Sequence, residues 1–220
     1  MFDFVLVPAY DLIRSLSDLT GAVLAIVLFT LGVRLLLLPL GIRIARGQRI
    51  RMRLAPDVEK LRKRFRQDPV RLSQEVSALY AKEGTSMASG LLLPLAQSPF
   101  FMVAYRLFTS AVIAGHPNLL LAQGVLGVPL GEHFGAVLAG AGLFSAPGLV
   151  FLGLFALLVL AAWVASRRVD EGVPMRRLLM LLPFGTVLAA AVLPLAAGLY
   201  LLVTTAWTTT ERIVLYPRPA

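Results

Sequence analysis

Residues 20–41, TGAVLAIVLFTLGVRLLLLPLG, are apolar enough to enter a lipid bilayer and long enough to cross it, yet they carry one charge, Arg34. A spanning helix needs roughly 20 apolar residues for a hydrocarbon core of about 30 Å. Inside that core only helices and closed barrels satisfy their own backbone. Comparable runs recur at 89–110, 147–166 and 178–215. The last is too long for one crossing at about 1.5 Å per residue, and Pro194, followed by Gly198, divides it into spans 177–192 and 196–215. The expected fold class is all-α, a polytopic membrane protein with five transmembrane helices. Apolar residues make up 58% of the chain, against about 45–50% in soluble domains.

Charge orients the spans. Of 21 basic residues, 12 fall within 42–88, and Arg167, Arg168, Arg176 and Arg177 add four. Between Leu107 and Ser166 there is no Lys or Arg. The positive-inside rule makes 42–88, 167–176 and the tail 216–220 cytoplasmic and the 111–146 connection external, with the N-terminus outside and the C-terminus inside. A re-entrant piece within 119–145 is the competing count. Residues 1–19 read as an external interfacial segment, with a short amphipathic helix over 2–16 interrupted near Pro8; a frayed leader is the alternative. The run from Thr20 to Gly41 exceeds a signal-peptide core, and no Lys or Arg precedes Arg14.

The 42–88 segment has internal order. Ile50, Leu54, Val58, Leu61 and Phe65 place one apolar stripe on a helix, and Leu72, Val76 and Leu79 place another on a second. Asp68 suits an N-cap, Pro69 the first helical position and Gly84 a C-cap. The expectation is an antiparallel helical hairpin with a basic exterior that includes Arg62, Lys63, Arg64 and Arg66. It reads either as a connector that enforces topology or as a docking arm for anionic headgroups, a ribosome or a targeting factor.

Arg34 precedes Arg43 by nine residues, about 13 Å along a helix, which is too deep for easy snorkelling. Lipid exposure of Arg near the bilayer centre costs about 2.5 kcal/mol or more, so Arg34 should face the bundle interior, a wet cavity or an arriving anion. Gln97 and Ser98 on the second span, and Thr204, Thr205, Thr208 and Thr209 on the last, could line such a space. The bland alternative is that these threonines bond their own backbone and Gln97 ties two helices together. Glu211, near the cytoplasmic end, is the one acidic residue within the spans.

No enzyme is expected. His116 and His133 are not spaced as metal ligands, no HExxH, Walker or GxSxG pattern occurs, and there is no Cys. Cofactors and metals are expected to be none. The net charge of +9 is concentrated where it would meet membrane lipids or a ribosome, and no specific DNA partner is implied.

In this order, the features resemble the YidC/Oxa/Alb family of membrane protein insertases. RLLLLPL (34–40) is similar to the first-core-span motif, whose Arg is the groove charge. PDVEKLRKRFRQDPVRLSQEVSALYAKEG (56–84) is similar to the cytoplasmic hairpin. LLLPLAQSPFFMVAYRLF (91–108) resembles the second core span, and PLAAGLYLLVTTAW (194–207) the last. Ser86-Met87 stands where the family has Asn-Pro, and Leu201 where a Trp often follows the Tyr. The resemblance implies a compact five-span bacterial form in the cell membrane, with a hydrophilic groove open to cytoplasm and lipid. Acidic or polar segments of nascent membrane proteins would be drawn towards Arg34, with Gln97, Thr204, Thr205 and Thr208 in the groove. The implied partners are nascent chains, the ribosome, the Sec translocon, and signal recognition particle with its receptor. A small transporter or channel subunit binding an anionic solute at Arg34 is the other-class alternative; solute flux in empty liposomes would distinguish it. A third reading is an assembly factor whose hairpin recruits a partner.

Overall fold

The computed structural model describes residues 3–85, 92–168 and 176–215; the side chains of residues 3, 44, 45, 48, 92–94, 96, 97 and 215 are outside that description. Outside it too lie the end of the expected hairpin at 86–88, most of the loop 167–176 and the tail 216–220. The chain divides into two compact units, Met1–Arg34 with Phe100–Ala220, and Leu35–Pro99. Among the described residues, Ala22–Arg43 and Ala146–Ser166 form helices long and apolar enough to cross a membrane.

The first unit opens with α1 (Asp3–Thr20), whose inward stripe is Leu6, Tyr10, Ile13 and Ser17, all buried. The interruption expected near Pro8 does not occur, because the helix runs through it. The one backbone bond lost to proline is offset by the packing of that stripe, which is where most helical stability arises. Two long-range bonds seat α1: Leu119 N donates to Tyr10 Oη at 3.0 Å, and Ser17 Oγ donates to Gln123 Oε1. Gly21, at φ +83°, then redirects the chain into α2 (Ala22–Arg64). Pro39 and Pro56 both lie within α2, so the boundary read from sequence at 41/42 falls inside a continuous helix.

In the second unit, Asp68 accepts from Arg71 N at 2.9 Å and Pro69 opens α3 (Pro69–Lys82), which Gly84 closes at φ +66°. Arg53 ion-pairs with Glu83. Leu54 and Val76 are the buried members of the two apolar stripes, while Arg62, Lys63, Arg64 and Arg66 are exposed. Phe65 is flanked by the guanidinium groups of Arg64 and Arg71, 5.4 and 5.7 Å from its ring centre.

Helix α4 (Leu92–Thr109) brings Val103, Ala104, Leu107 and Phe108 into the core of the first unit. Asn118 finishes it: its Nδ2 donates to Leu107 O (2.8 Å) and Ser110 O (3.0 Å), and its Oδ1 accepts from Leu120 N at the start of α5 (Leu119–Ala122). The connection contains two short antiparallel ladders that the sequence reading did not anticipate, β1 (Val112–Ile113) with β2 (His116–Pro117) and β3 (Gly124–Val125) with β4 (Val128–Pro129). Their two-residue turns, Ala114-Gly115 and Leu126-Gly127, hold positive φ at both positions, as a type I′ hairpin turn requires.

After α6 (Phe134–Gly140), Ser145 caps α7 (Ala146–Ser166) by accepting from Gly148 N and donating to Gly142 O. Helix α7 is the centre of the unit, burying Phe151, Leu154, Leu158 and Ala162 against α10 (Leu195–Leu215) and α9 (Gly185–Val192). The segment expected as one span at 177–192 is broken into α8 (Arg176–Leu181), a 3-10 turn at Leu182–Phe184, and α9. Pro183 cannot donate at that break, and Thr186 Oγ1 bonds its carbonyl at 2.7 Å. Extended Leu193 turns the chain, and the first amides of α10 donate to the connection: Leu195 N to Glu132 O and Ala196 N to Leu130 O, both 2.9 Å.

Small residues allow α10 to approach α7. A Cβ on Gly198 would stand 2.6 Å from the Leu154 methyl, which can swing aside, whereas one on Gly148 would stand 2.1 Å from the carbonyl oxygen of Leu143. Gly148→Ala should therefore destabilise the protein by about 1–3 kcal/mol, the cost of forcing atoms into a packed site. Gly153→Ala, with open space around it, should be neutral or stabilising by up to about 1 kcal/mol through helix propensity. Thermal unfolding of both variants in one detergent checks this.

Candidate functional site

Arg34 owes its direction to helical spacing. Ile26, Thr30 and Arg34 follow at intervals of four, which stacks them on one face. Ile26 and Thr30 are 0% and 2% exposed, and Thr30 Oγ1 donates to Ile26 O at 2.7 Å, so this hydroxyl is occupied by its own helix. Arg34 continues the same stripe and is half-buried, while Leu28, Leu35 and Leu36 occupy the exposed side. A guanidinium is always charged and only donates.

Facing it, α10 places Tyr200, Thr204, Thr208 and Glu211 at steps of four, four and three, again one face. Tyr200 and Glu211 both stand within electrostatic reach of Arg34. The Tyr200 ring is fixed against buried Phe108, with centroids 5.6 Å apart. Thr204 Oγ1 is fully buried and has no hydrogen-bond partner among the described residues; the Tyr200 hydroxyl, one turn away, interacts with it without reaching bonding geometry. Among the described residues, no carboxylate lies within 4 Å of Arg34, that of Glu211 included.

The other polar residues divide by what they bond. Thr205 offers its carbonyl to Thr209 Oγ1 at 2.7 Å, and Ser98 Oγ donates to Leu95 O at 2.8 Å, so Thr209 and Ser98 are tied to their own helices. Thr208 is half-buried on the Tyr200–Glu211 face. The Gln97 side chain lies outside the described residues. Tyr200 is the member that reading by polarity overlooked; its spacing of four from Thr204 was the available signal.

The chemistry of this face is electrostatic. Among the described residues, no group of three or more His, Cys, Asp or Glu side chains is arranged to hold a metal ion. What the face offers is a fixed positive charge beside two hydroxyls and a carboxylate that is near but not ion-paired among the described residues. Thr204→Val should raise stability by about 1 kcal/mol, because an unsatisfied buried hydroxyl costs roughly 1–3. Thr209→Val, which deletes a formed bond, should cost about 0.5–1.5 kcal/mol. Opposite shifts in the unfolding midpoint would verify the assignment.

A family model described as 60Kd inner membrane protein matches residues 15–219. Among curated proteins, the chain is 30% identical over 152 residues to a membrane protein insertase YidC of Streptomyces avermitilis, covering 61% of this chain and 36% of that one. It is 38% identical over 89 residues to the protein of that name from Clostridium perfringens, covering 40% and 37%. For the one from Aquifex aeolicus the values are 32% over 106 residues, covering 48% and 21%. The matched stretches thus span well under half the length of these relatives.

Proposed function

Since the chain belongs to the YidC/Oxa/Alb family, whose model is described as 60Kd inner membrane protein, we propose that it is a bacterial inner-membrane insertase that captures hydrophilic or acidic segments of nascent membrane proteins at Arg34. The observation that carries this reading is the Arg34 guanidinium on the protein-facing stripe of α2, near Tyr200 and Glu211 of α10 yet with no carboxylate within 4 Å among the described residues. In a medium of low polarity, a charge without a close partner attracts an arriving anion strongly, and a substrate carboxylate supplies that partner. On the last span, Thr204, Thr205 and Thr208 are the polar residues assigned to a groove open to cytoplasm and lipid; Gln97 is the candidate that the second span's sequence offers. The apolar part of the substrate passes into lipid beside these helices.

The rest of the chain serves delivery. Five spans, 20–41, 89–110, 147–166, 177–192 and 196–215, put the N-terminus outside and the basic 42–88 hairpin in the cytoplasm. There Arg62, Lys63, Arg64 and Arg66, presented by the Asp68-Pro69 turn, meet a ribosome, the Sec translocon or signal recognition particle with its receptor. The concentration of 12 basic residues in that segment supports the orientation.

Reconstitution in liposomes with single-span substrates bearing acidic or neutral tails is the test. An ion pair at 4 Å is worth about 1–4 kcal/mol between bulk water and a protein surface. Arg34→Ala should accordingly lower insertion of acidic-tailed substrates about tenfold or more, with a smaller loss for neutral tails, and Arg34→Lys should recover part of it. Equal insertion by wild type and Arg34→Ala for every tail would end the capture mechanism.

A further inference from the structure

The β3–β4 hairpin carries at its tip a residue that water would not select. Leu126 is 84% exposed and holds φ +51°, the left-handed region that Gly, Asn and Asp enter easily and a bulky side chain does not. In water, Asn at this position would be better in both conformation and hydration. A leucine there gains from contact with an apolar surface. The stem that presents it is fixed: Val128 and Leu130 are 1% and 0% exposed within the core, and Val125 pairs with Val128.

What lies beside the hairpin identifies that surface. Gly124 lines a hollow of about 330 Å³ together with Thr20, Gly21, Leu24 and Val27, at the joint between α1 and α2. Leu24, 47% exposed, belongs to the first turn of the apolar segment Ala22–Arg43, and Leu19, 83% exposed, lies in the last turn of α1. Tip and hollow therefore stand where the lipid-facing side of a span begins. The walls of the hollow are aliphatic; its one hydroxyl, on Thr20, is already bonded to Leu16 O at 2.8 Å. Between Leu107 and Ser166 there is no Lys or Arg, so no basic side chain of the connection draws the tip into the aqueous phase, and its one carboxylate, Glu132, follows the β4 end of the stem and not the tip.

We propose that the β3–β4 hairpin and the α1–α2 joint form a phospholipid-binding surface, in which Leu126 and Leu19 enter the edge of the hydrocarbon and the hollow lined by Thr20, Leu24, Val27 and Gly124 receives an acyl chain. This rests on Ala22–Arg43 crossing the membrane and is independent of the insertase reading. It makes the connection a lipid-anchored plate instead of a solvated loop.

The chain holds no Cys, so Leu126→Cys and Thr20→Cys each give the full-length protein a single site for an environment-sensitive nitrobenzoxadiazole label. Exposed Gln74→Cys, outside the basic cluster, supplies the aqueous reference. In phosphatidylcholine–phosphatidylglycerol vesicles, the label at 126 and at 20 should emit to the blue of the reference. Lipids spin-labelled near the carbonyl end should quench it severalfold more than they quench the reference, and aqueous iodide severalfold less. Iodide quenching equal to that of the reference at both sites would overturn the proposal. Shielding from iodide and lipid quenchers alike would also overturn it, since that is the signature of a protein partner.

Discussion

In a chain this apolar, a backbone amide or carbonyl left without a partner costs more than most side-chain contacts return. The first unit is organised around that constraint. Asn118 answers for the end of α4 and the start of α5 with a single side chain. Ser145 does the same for the start of α7. Helix α10 has no capping side chain of its own at Leu195 and Ala196 and borrows the carbonyls of Glu132 and Leu130 instead. The connection between the second and third expected spans thus closes helix ends, and its short ladders hold those carbonyls in register.

The same logic applied to side chains isolates the candidate site. Most hydroxyls on the long helices satisfy themselves: Thr30 on Ile26, Thr209 on Thr205, Thr210 on Ala206. Thr204 differs: its oxygen is buried without a hydrogen-bond partner among the described residues, beside the Tyr200 hydroxyl, and it sits on the α10 face that carries Tyr200 and Glu211 towards Arg34. Polarity that cannot be absorbed within the fold is concentrated at one place.

The sequence made much of this legible. Hydropathy located the apolar helices because span length is set by the bilayer, and the 147–166 run matches α7 within a residue. Asp68, Pro69 and Gly84 were readable because caps act over three or four residues. The continuity of α2 past Pro39 was not, since a local breaker can be overruled by packing. The two ladders were hidden because each strand has two residues and the turns use Ala-Gly and Leu-Gly in place of Asn-Gly. Arg34 announced itself as a charge in an apolar run. Tyr200 did not, because an aromatic in a span is ordinary until its neighbour in space is known.

The seating of α10 has a mechanical consequence. At its Pro194 end the helix is fixed by two backbone bonds and by buried Leu195, Ala196, Ala197 and Gly198. Towards the other end one face still packs, with Thr209 buried and Thr208, Glu211 and Ile213 half-buried, while Ala206, Thr210, Arg212 and Val214 are exposed. A rod clamped at one end deflects most at the other, so any rocking of α10 is smallest at the clamp and grows from Tyr200 to Glu211. Tyr200 would then act as the pivot for the face it shares with Glu211, and the gap between Glu211 and Arg34 would be the dimension that changes most when the helix moves.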